Sequence, residues 1–182
     1  MNDDAVQRAT DILLTGGVVV HACEGVWGLA CDAYSFASVQ RILELKHRPI
    51  QNGLILIGGQ ATDFEAELMD LNPEQREEVL SSWPGPETWT METHRFPVWI
   101  TGGRGTVAAR VPGHEQAREL ARRFGGPLVS TSANRSGEEP STCQAEVTKN
   151  FGADVDFILP GATSGSTGPS RIRVAGSGEV LR

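Results

Sequence analysis

At 182 residues, with 39% hydrophobic and 21% charged side chains, the chain has the composition of one globular domain with a core of its own, which excludes a disordered or fibrous protein. A formal net charge of −7 argues against broad, salt-driven attachment to nucleic acid and leaves room only for a local basic patch. Cys23, Cys31 and Cys143 are odd in number and too few for a disulfide framework, and no apolar run is long enough to span a membrane.

The acidic start MNDDAVQRAT has no signal-peptide core, so a cytoplasmic protein is expected. Asp3 or Asp4 can cap a helix through Leu14 with Val6, Ala9 and Leu13 on one side, ended by Gly16-Gly17. Val18-Val19-Val20 reads as a buried strand. Ser35 can cap a second helix in which Val39, Ile42, Leu43 and Lys46 recur at helical spacing, and Pro49 pushes Arg48 onto its exit loop. Leu54–Ile57 reads as strand, closed by Gly58-Gly59. Asn72-Pro73 opens a helix through about Ser82, which Trp83-Pro84-Gly85-Pro86 must break. Thr88–Met91, Val98–Thr101 and Thr106–Val111 are expected strands, His114–Phe124 a helix stopped by Gly125-Gly126, and Leu128–Thr131 a strand. A short helix over Thr142–Asn150, a strand at Phe157–Leu159, a flexible loop from Gly161 to Gly168 and short strands at Arg171–Val174 and Glu179–Leu181 complete the chain. Helices alternate with strands, but several middle strands follow one another directly. That mixture predicts an α/β protein with an open, twisted, mixed sheet flanked by helices, in one domain over 1–182.

Two short segments carry chemistry. Lys46-x-Arg48 lies where a helical pattern stops at a proline, and Ser132-x-Asn134 lies just past an apolar strand. Arginine offers a planar fork to oxygen pairs and lysine a point charge, while serine and asparagine supply neutral donors that fix orientation. A phosphate-bearing ligand needs this combination. A helix C-terminus also attracts cations, so Lys46 and Arg48 alone would be ambiguous. Arg118, Arg122 and Arg123 read as a solvated helix face. His21, Cys23 and Cys31 match no zinc-binding spacing, so no metal site is expected from the protein. The chain has no P-loop, no G-x-S-x-G elbow and no zinc-deaminase signature, and Gly102-Gly103-Arg104-Gly105 reads as a turn.

Lys-x-Arg answered by Ser-x-Asn resembles the threonylcarbamoyl-AMP synthase family. Also similar are HACEGVWGLACD (His21–Asp32), Trp83-Pro84-Gly85-Pro86, Thr106–Val111 and Pro169-Ser170-Arg171-Ile172. The resemblance runs from about Ala9 to Arg182 and is closest to the short bacterial form, a single YrdC-like domain without the extra C-terminal domain of longer relatives. It implies a concave nucleotide-binding cavity and synthesis of L-threonylcarbamoyl-adenylate from L-threonine, bicarbonate and ATP, with Mg2+. The product would feed a tRNA threonylcarbamoyl transferase complex acting on adenosine 37 of tRNAs that read ANN codons. By the same resemblance Lys46, Arg48, Ser132 and Asn134 surround the phosphates, with Lys46 and Arg48 carrying the electrostatic part of catalysis. Thr106, Ser141 and Arg182 contact the nucleotide, and Cys23, Arg110, Ser130 and Ser170 meet L-threonine. The chain departs from the family at Ala22-Cys23-Glu24, where the family reads Pro-Thr-Glu, so a thiol replaces a substrate-binding hydroxyl. Members of the family have also been linked to double-stranded RNA and ribosome maturation. The acidic charge and sparse aromatics reduce that reading to weak RNA binding, and an inactive paralogue is the other alternative.

Overall fold

The structure, a computed structural model, describes residues 2–182. Helix α1 (Asp3–Leu14) is capped by Asn2, whose side chain accepts from the Ala5 N–H at 3.2 Å. The cap expected at Asp3 or Asp4 therefore lies one residue earlier. Both aspartates occupy the first turn instead, where the helix dipole favours negative charge. β1 (Val19–Ala22) and β2 (Trp27–Asp32) form an antiparallel hairpin, and Ser35 caps α2 (Phe36–Leu45) as its sequence predicts. β3 (Ile55–Ile57) follows, then α3 (Glu65–Met69). α4 (Pro73–Ser81) is opened by a reciprocal cap between Asn72 and Gln75. β4 (Glu87–Glu92), α5 (Val98–Thr101), β5 (Thr106–Arg110), α6 (Glu115–Phe124), β6 (Leu128–Ser132), α7 (Gln144–Phe151), β7 (Phe157–Ile158) and β8 (Arg171–Val174) complete the order.

All eight strands join one mixed sheet in the order β7-β1-β2-β6-β3-β5-β4-β8. The pairs β1–β7, β3–β5 and β4–β8 are parallel and the others antiparallel. One face is covered by α2, α3, α4 and α7, which bury Val39, Ile42, Leu68, Val79, Val147 and Phe151 against Val20, Leu29, Val107 and Val129. On the other face α1 and α6 pack through Val6, Leu13, Ala117 and Leu120 onto Val19, Ala30, Ile57 and Leu128. These two helices cover only part of that face. Each large aliphatic side chain removed from water contributes roughly 1.5–3 kcal/mol, so both layers are strongly held and the uncovered part of the face can stay open.

Two expected strands turn out otherwise. Val98–Thr101 is a single helical turn, because Pro97 occupies its N-cap and Gly102 ends it in the left-handed conformation at φ 65°. A short run of three apolar residues and a threonine fits either structure, and the flanking proline and glycine decide it. The last segment, Glu179–Leu181, forms no regular strand but still joins β8, through a bridge between Arg173 and Val180 and through Leu181 N donating to Ile172 O (2.8 Å) and Val174 N donating to Glu179 O (2.9 Å).

Candidate active site

The uncovered part of the sheet is a concave cavity of about 490 Å³. Thr106, Ala108 and Arg110 line it from alternate positions of β5, while Val107 and Ala109 point into the opposite core. Ser130 and Ser132 of β6, Thr90 of β4 and Ile172 and Val174 of β8 extend the same floor.

At one end three guanidinium groups come together. α2 stops in a Schellman turn, in which His47 N donates to Glu44 O (3.0 Å) and Arg48 N donates to Leu43 O (2.9 Å). His47 holds the left-handed position at φ 49°, a place usually taken by glycine, and the turn delivers Arg48 to the cavity wall. There its Nε and Nη2 donate to Gly53 O at 3.2 and 3.0 Å. Arg104 reaches in from the glycine turn and donates to Asn52 O (3.3 Å), and Arg182 donates to Ser170 O (3.1 Å). Burial, then Arg182 and Arg104, lower the Arg48 pKa, as expected of like charges held close. Among the described residues none of the three makes an ion pair, and no Asp or Glu lines this cavity. Other basic groups are engaged elsewhere: Arg41 pairs with Asp156 at 2.5 Å, Arg118 donates to Pro112 O at 2.8 Å, and Arg122 and Arg123 pair with Glu119.

The Lys-x-Arg and Ser-x-Asn segments meet, with a division of labour. Arg48 and Ser132 line the cavity, while Lys46 and Asn134 stand behind its wall. Lys46 Nζ donates to Ser132 O, to Asn134 O at 2.7 Å and to Asn134 Oδ1 at 3.3 Å. Ser132 Oγ donates to Asn134 Oδ1 at 2.6 Å, and Asn134 Nδ2 donates to Glu138 O at 2.8 Å. Burial, followed by the charge of Arg48, brings the Lys46 ammonium down to about 8. Lys46 is thus a clamp that joins the end of α2 to the loop after β6. Ser141 also lies outside the cavity lining. It is buried beside Trp27, whose backbone N–H donates to Ser141 O (2.9 Å), and its own Oγ has no partner among the described residues.

At the other end Arg110 is buried and donates through Nη1 to Glu24 Oε2 at 2.8 Å, while Glu24 Oε1 accepts from Gly113 N at 2.7 Å. Burial opposes the charge on Glu24, but Arg110 outweighs it and holds the carboxyl below its usual range. Cys23 lines the cavity next to this pair, and burial raises its thiol to about 11, so it is neutral at physiological pH. Ser130 Oγ lies 3.1 Å from His21 Nε2, and Ser170 Oγ lies 2.8 Å from Thr88 Oγ1. Sequence reasoning missed Glu24, His21 and Arg104 as parts of this site. The first two stand in the quoted HACEG segment, but nothing in the spacing told their contacts, and Arg104 was concealed in a glycine-rich turn.

The Sua5/YciO/YrdC family, described as telomere recombination, matches residues 11–182. The chain belongs to this family. It is 41% identical to a threonylcarbamoyl-AMP synthase of Hahella chejuensis, over 97% of both chains. It is 44% identical to one of Halorhodospira halophila, over 97% of this chain and 93% of that protein. Among solved structures it resembles P. abyssi Sua5 complexed with L-threonine, with a TM-score of 0.90 and 29% identity over 97% of this chain. It spans about half of that longer chain, 53%. The mixed sheet with one open, concave face is the architecture expected of a Sua5/YciO/YrdC protein.

Proposed function

We infer that this protein is a threonylcarbamoyl-AMP synthase working as one domain, which makes L-threonylcarbamoyl-adenylate from L-threonine, bicarbonate and ATP and releases pyrophosphate. The observation that carries the reading is one cavity with unpaired arginines at one end and a buried, carboxylate-oriented arginine at the other. The first end suits a triphosphate and the second an amino-acid carboxylate. The amine nitrogen attacks the carbon of bicarbonate, water leaves, and a carbamate forms. A carbamate oxygen then bonds to the α-phosphorus of ATP as the bond to the β-phosphate oxygen breaks and pyrophosphate departs. No nucleophile from the protein is needed, so positioning and charge do the work.

In this reading Arg48, Arg104 and Arg182 balance the charge that builds on the leaving pyrophosphate, with Ser132 and Thr106 orienting the nucleotide. Arg110 has donors left beyond the one given to Glu24, and those take the carboxylate of L-threonine beside Cys23, Ser130 and Ser170. Lys46 and Asn134 act by holding Ser132 in place, and Ser141 supports the same wall. Among the described residues no cluster of three His, Cys, Asp or Glu could cage a metal. The donor set therefore does not fit a protein-bound Mg2+, which would have to arrive on the phosphate oxygens of the nucleotide. Among the described residues no helix is long and apolar enough to cross a membrane, and the reaction is expected to run in the cytoplasm. The product would pass to a tRNA threonylcarbamoyl transferase. The decisive experiment is pyrophosphate release measured with each substrate left out in turn. Release that needs ATP, L-threonine and bicarbonate together supports the reading, and release that ignores L-threonine overturns it.

A further inference from the structure

We propose that His21, which does not touch the cavity, is a positioning residue that fixes the Ser130 hydroxyl as a hydrogen-bond acceptor, so that the site recognises the amino group of its amino-acid substrate. This rests on the function proposed above and identifies the groups that read one part of that substrate.

Strand register brings the two side chains together. β2 lies between β1 and β6, and Gly28 of β2 sits opposite His21 on one side and Ser132 on the other. Ser130, two residues before Ser132, points to the same side of the sheet. His21 and Ser130 therefore meet across β2 above Gly28. A Cβ at position 28 would lie 3.3 Å from both His21 Nε2 and Ser130 Oγ, tighter than an ordinary contact. The glycine leaves the gap in which the hydrogen bond forms.

The polarity of that bond follows from its neighbours. His21 is fully buried, and its Nδ1 lies 3.1 Å from Ala22 O, with Cys23 Sγ farther away at 3.7 Å, where a thiol is only a weak donor or acceptor and the carbonyl contact governs. A carbonyl oxygen can only accept, so Nδ1 carries the hydrogen. Burial drives the imidazole down to about 4, so the ring is neutral and Nε2 has a bare lone pair. Ser130 Oγ, 3.1 Å away, must then give its single hydrogen to Nε2. What Ser130 presents to the cavity is lone pairs. A carboxylate oxygen would be repelled there and is left to Arg110, whereas an N–H is welcomed. That N–H persists when the amine becomes a carbamate, so the contact can last through the carboxylation step.

The direct test is nitrogen NMR of the whole protein labelled with 15N-histidine. The expected signature is a neutral His21 with hydrogen on Nδ1 and none on Nε2, unchanged from pH 8 to pH 6. Hydrogen on Nε2, or a charged ring at neutral pH, overturns the proposal whatever the enzyme's activity. Calorimetry supplies the functional side. His21→Gln can place a carbonyl oxygen near the position of Nε2, whereas His21→Asn reaches only the position of Nδ1. His21→Asn should weaken L-threonine about tenfold while leaving ATP within twofold, and His21→Gln should stay within about threefold for both. The His21→Asn change should add nothing in a Ser130→Ala background. Equal losses in the two His21 variants, an equal loss for ATP, or additivity with Ser130→Ala overturns the proposal. Wild type that binds L-threonine without releasing pyrophosphate would overturn the proposed reaction alone, and wild type that binds no L-threonine would overturn both.

Discussion

Arg48 and Lys46 are two residues apart in sequence, yet they occupy opposite sides of the cavity wall and should respond differently to substitution. Arg48 faces the cavity with no ion pair, so Arg48→Ala removes charge from the ligand and little from the fold. Losing one charge-assisted phosphate contact costs about 1.5–3 kcal/mol of transition-state binding. Steady-state kinetics on Arg48→Ala should show kcat/KM for ATP down about ten- to hundredfold, with a smaller loss of stability than Lys46→Ala, since only the bonds to Gly53 O and Asn52 O are removed from the fold. Lys46→Ala removes the clamp on Ser132 and Asn134 and leaves partly buried acceptors without partners, at about 1–3 kcal/mol. Its activity should fall together with its stability in urea titration. A Lys46→Ala protein as stable as wild type would show that the clamp contributes nothing. Cys23 sits beside Arg110 at the place where the family resemblance implies a threonine, and a thiol is a poor hydrogen-bond partner. Cys23→Thr should lower the KM for L-threonine several-fold, since a good hydrogen bond is worth about 0.5–1.5 kcal/mol, with the KM for ATP unchanged. An unaltered L-threonine KM would mean that residue 23 makes no contact with the amino acid.

The end of α2 is the element on which the phosphate side depends. Its Schellman turn satisfies the last carbonyls and aims Arg48, and His47 pays for the geometry by holding a backbone conformation that L-residues with a Cβ disfavour. Glycine has no such penalty. His47→Gly should keep the turn and raise the free energy of unfolding by about 0.5–1 kcal/mol, read from the urea midpoint, with kinetics unchanged. A drop in stability would show that the His47 side chain contributes more than its backbone costs. The glycine turn between α5 and β5 has a comparable role for Arg104. Gly102, Gly103 and Gly105 all have positive φ, and this tight path turns the arginine back toward Asn52.

At the scale of the whole molecule, burying a neutral histidine in the sheet makes stability depend on acid. The His21 pKa is about 4 in the folded protein and near 6.5 in the unfolded chain. Between these values the unfolded state binds the additional proton. His21 therefore favours folding fully above pH 6.5, and that advantage drains away as pH falls toward 4, by about 3 kcal/mol in all. Glu24, held below its normal range by Arg110, adds to the acid loss in the same direction. Urea unfolding of wild type and His21→Gln from pH 8 to pH 4 should converge as the pH drops, since only wild type carries the histidine term. Parallel curves would mean that His21 does not resist protonation.

The helices, most of the strands and the Lys-x-Arg and Ser-x-Asn segments were legible because their signals are local. A cap, a periodic apolar face or a pair of charged residues can be read from a few neighbours in the chain, and the caps at Ser35 and Asn72 and the stop at Gly125 show it. The Val98–Thr101 turn was misread because three apolar residues and a threonine fit a strand as well as a helix, and β2 gave no separable signal because Trp27–Asp32 mixes glycine, cysteine and apolar residues. Tertiary structure alone decided which side chains share the cavity. Arg48, Arg104 and Arg182 come from distant parts of the chain, and His21 meets Ser130 across an intervening strand. Strand order and register create those meetings, and both depend on the packing of entire layers. That packing also turned Lys46 away from the cavity, because the carbonyls of Ser132 and Asn134 that hold its ammonium are supplied by a strand and loop far along the sequence.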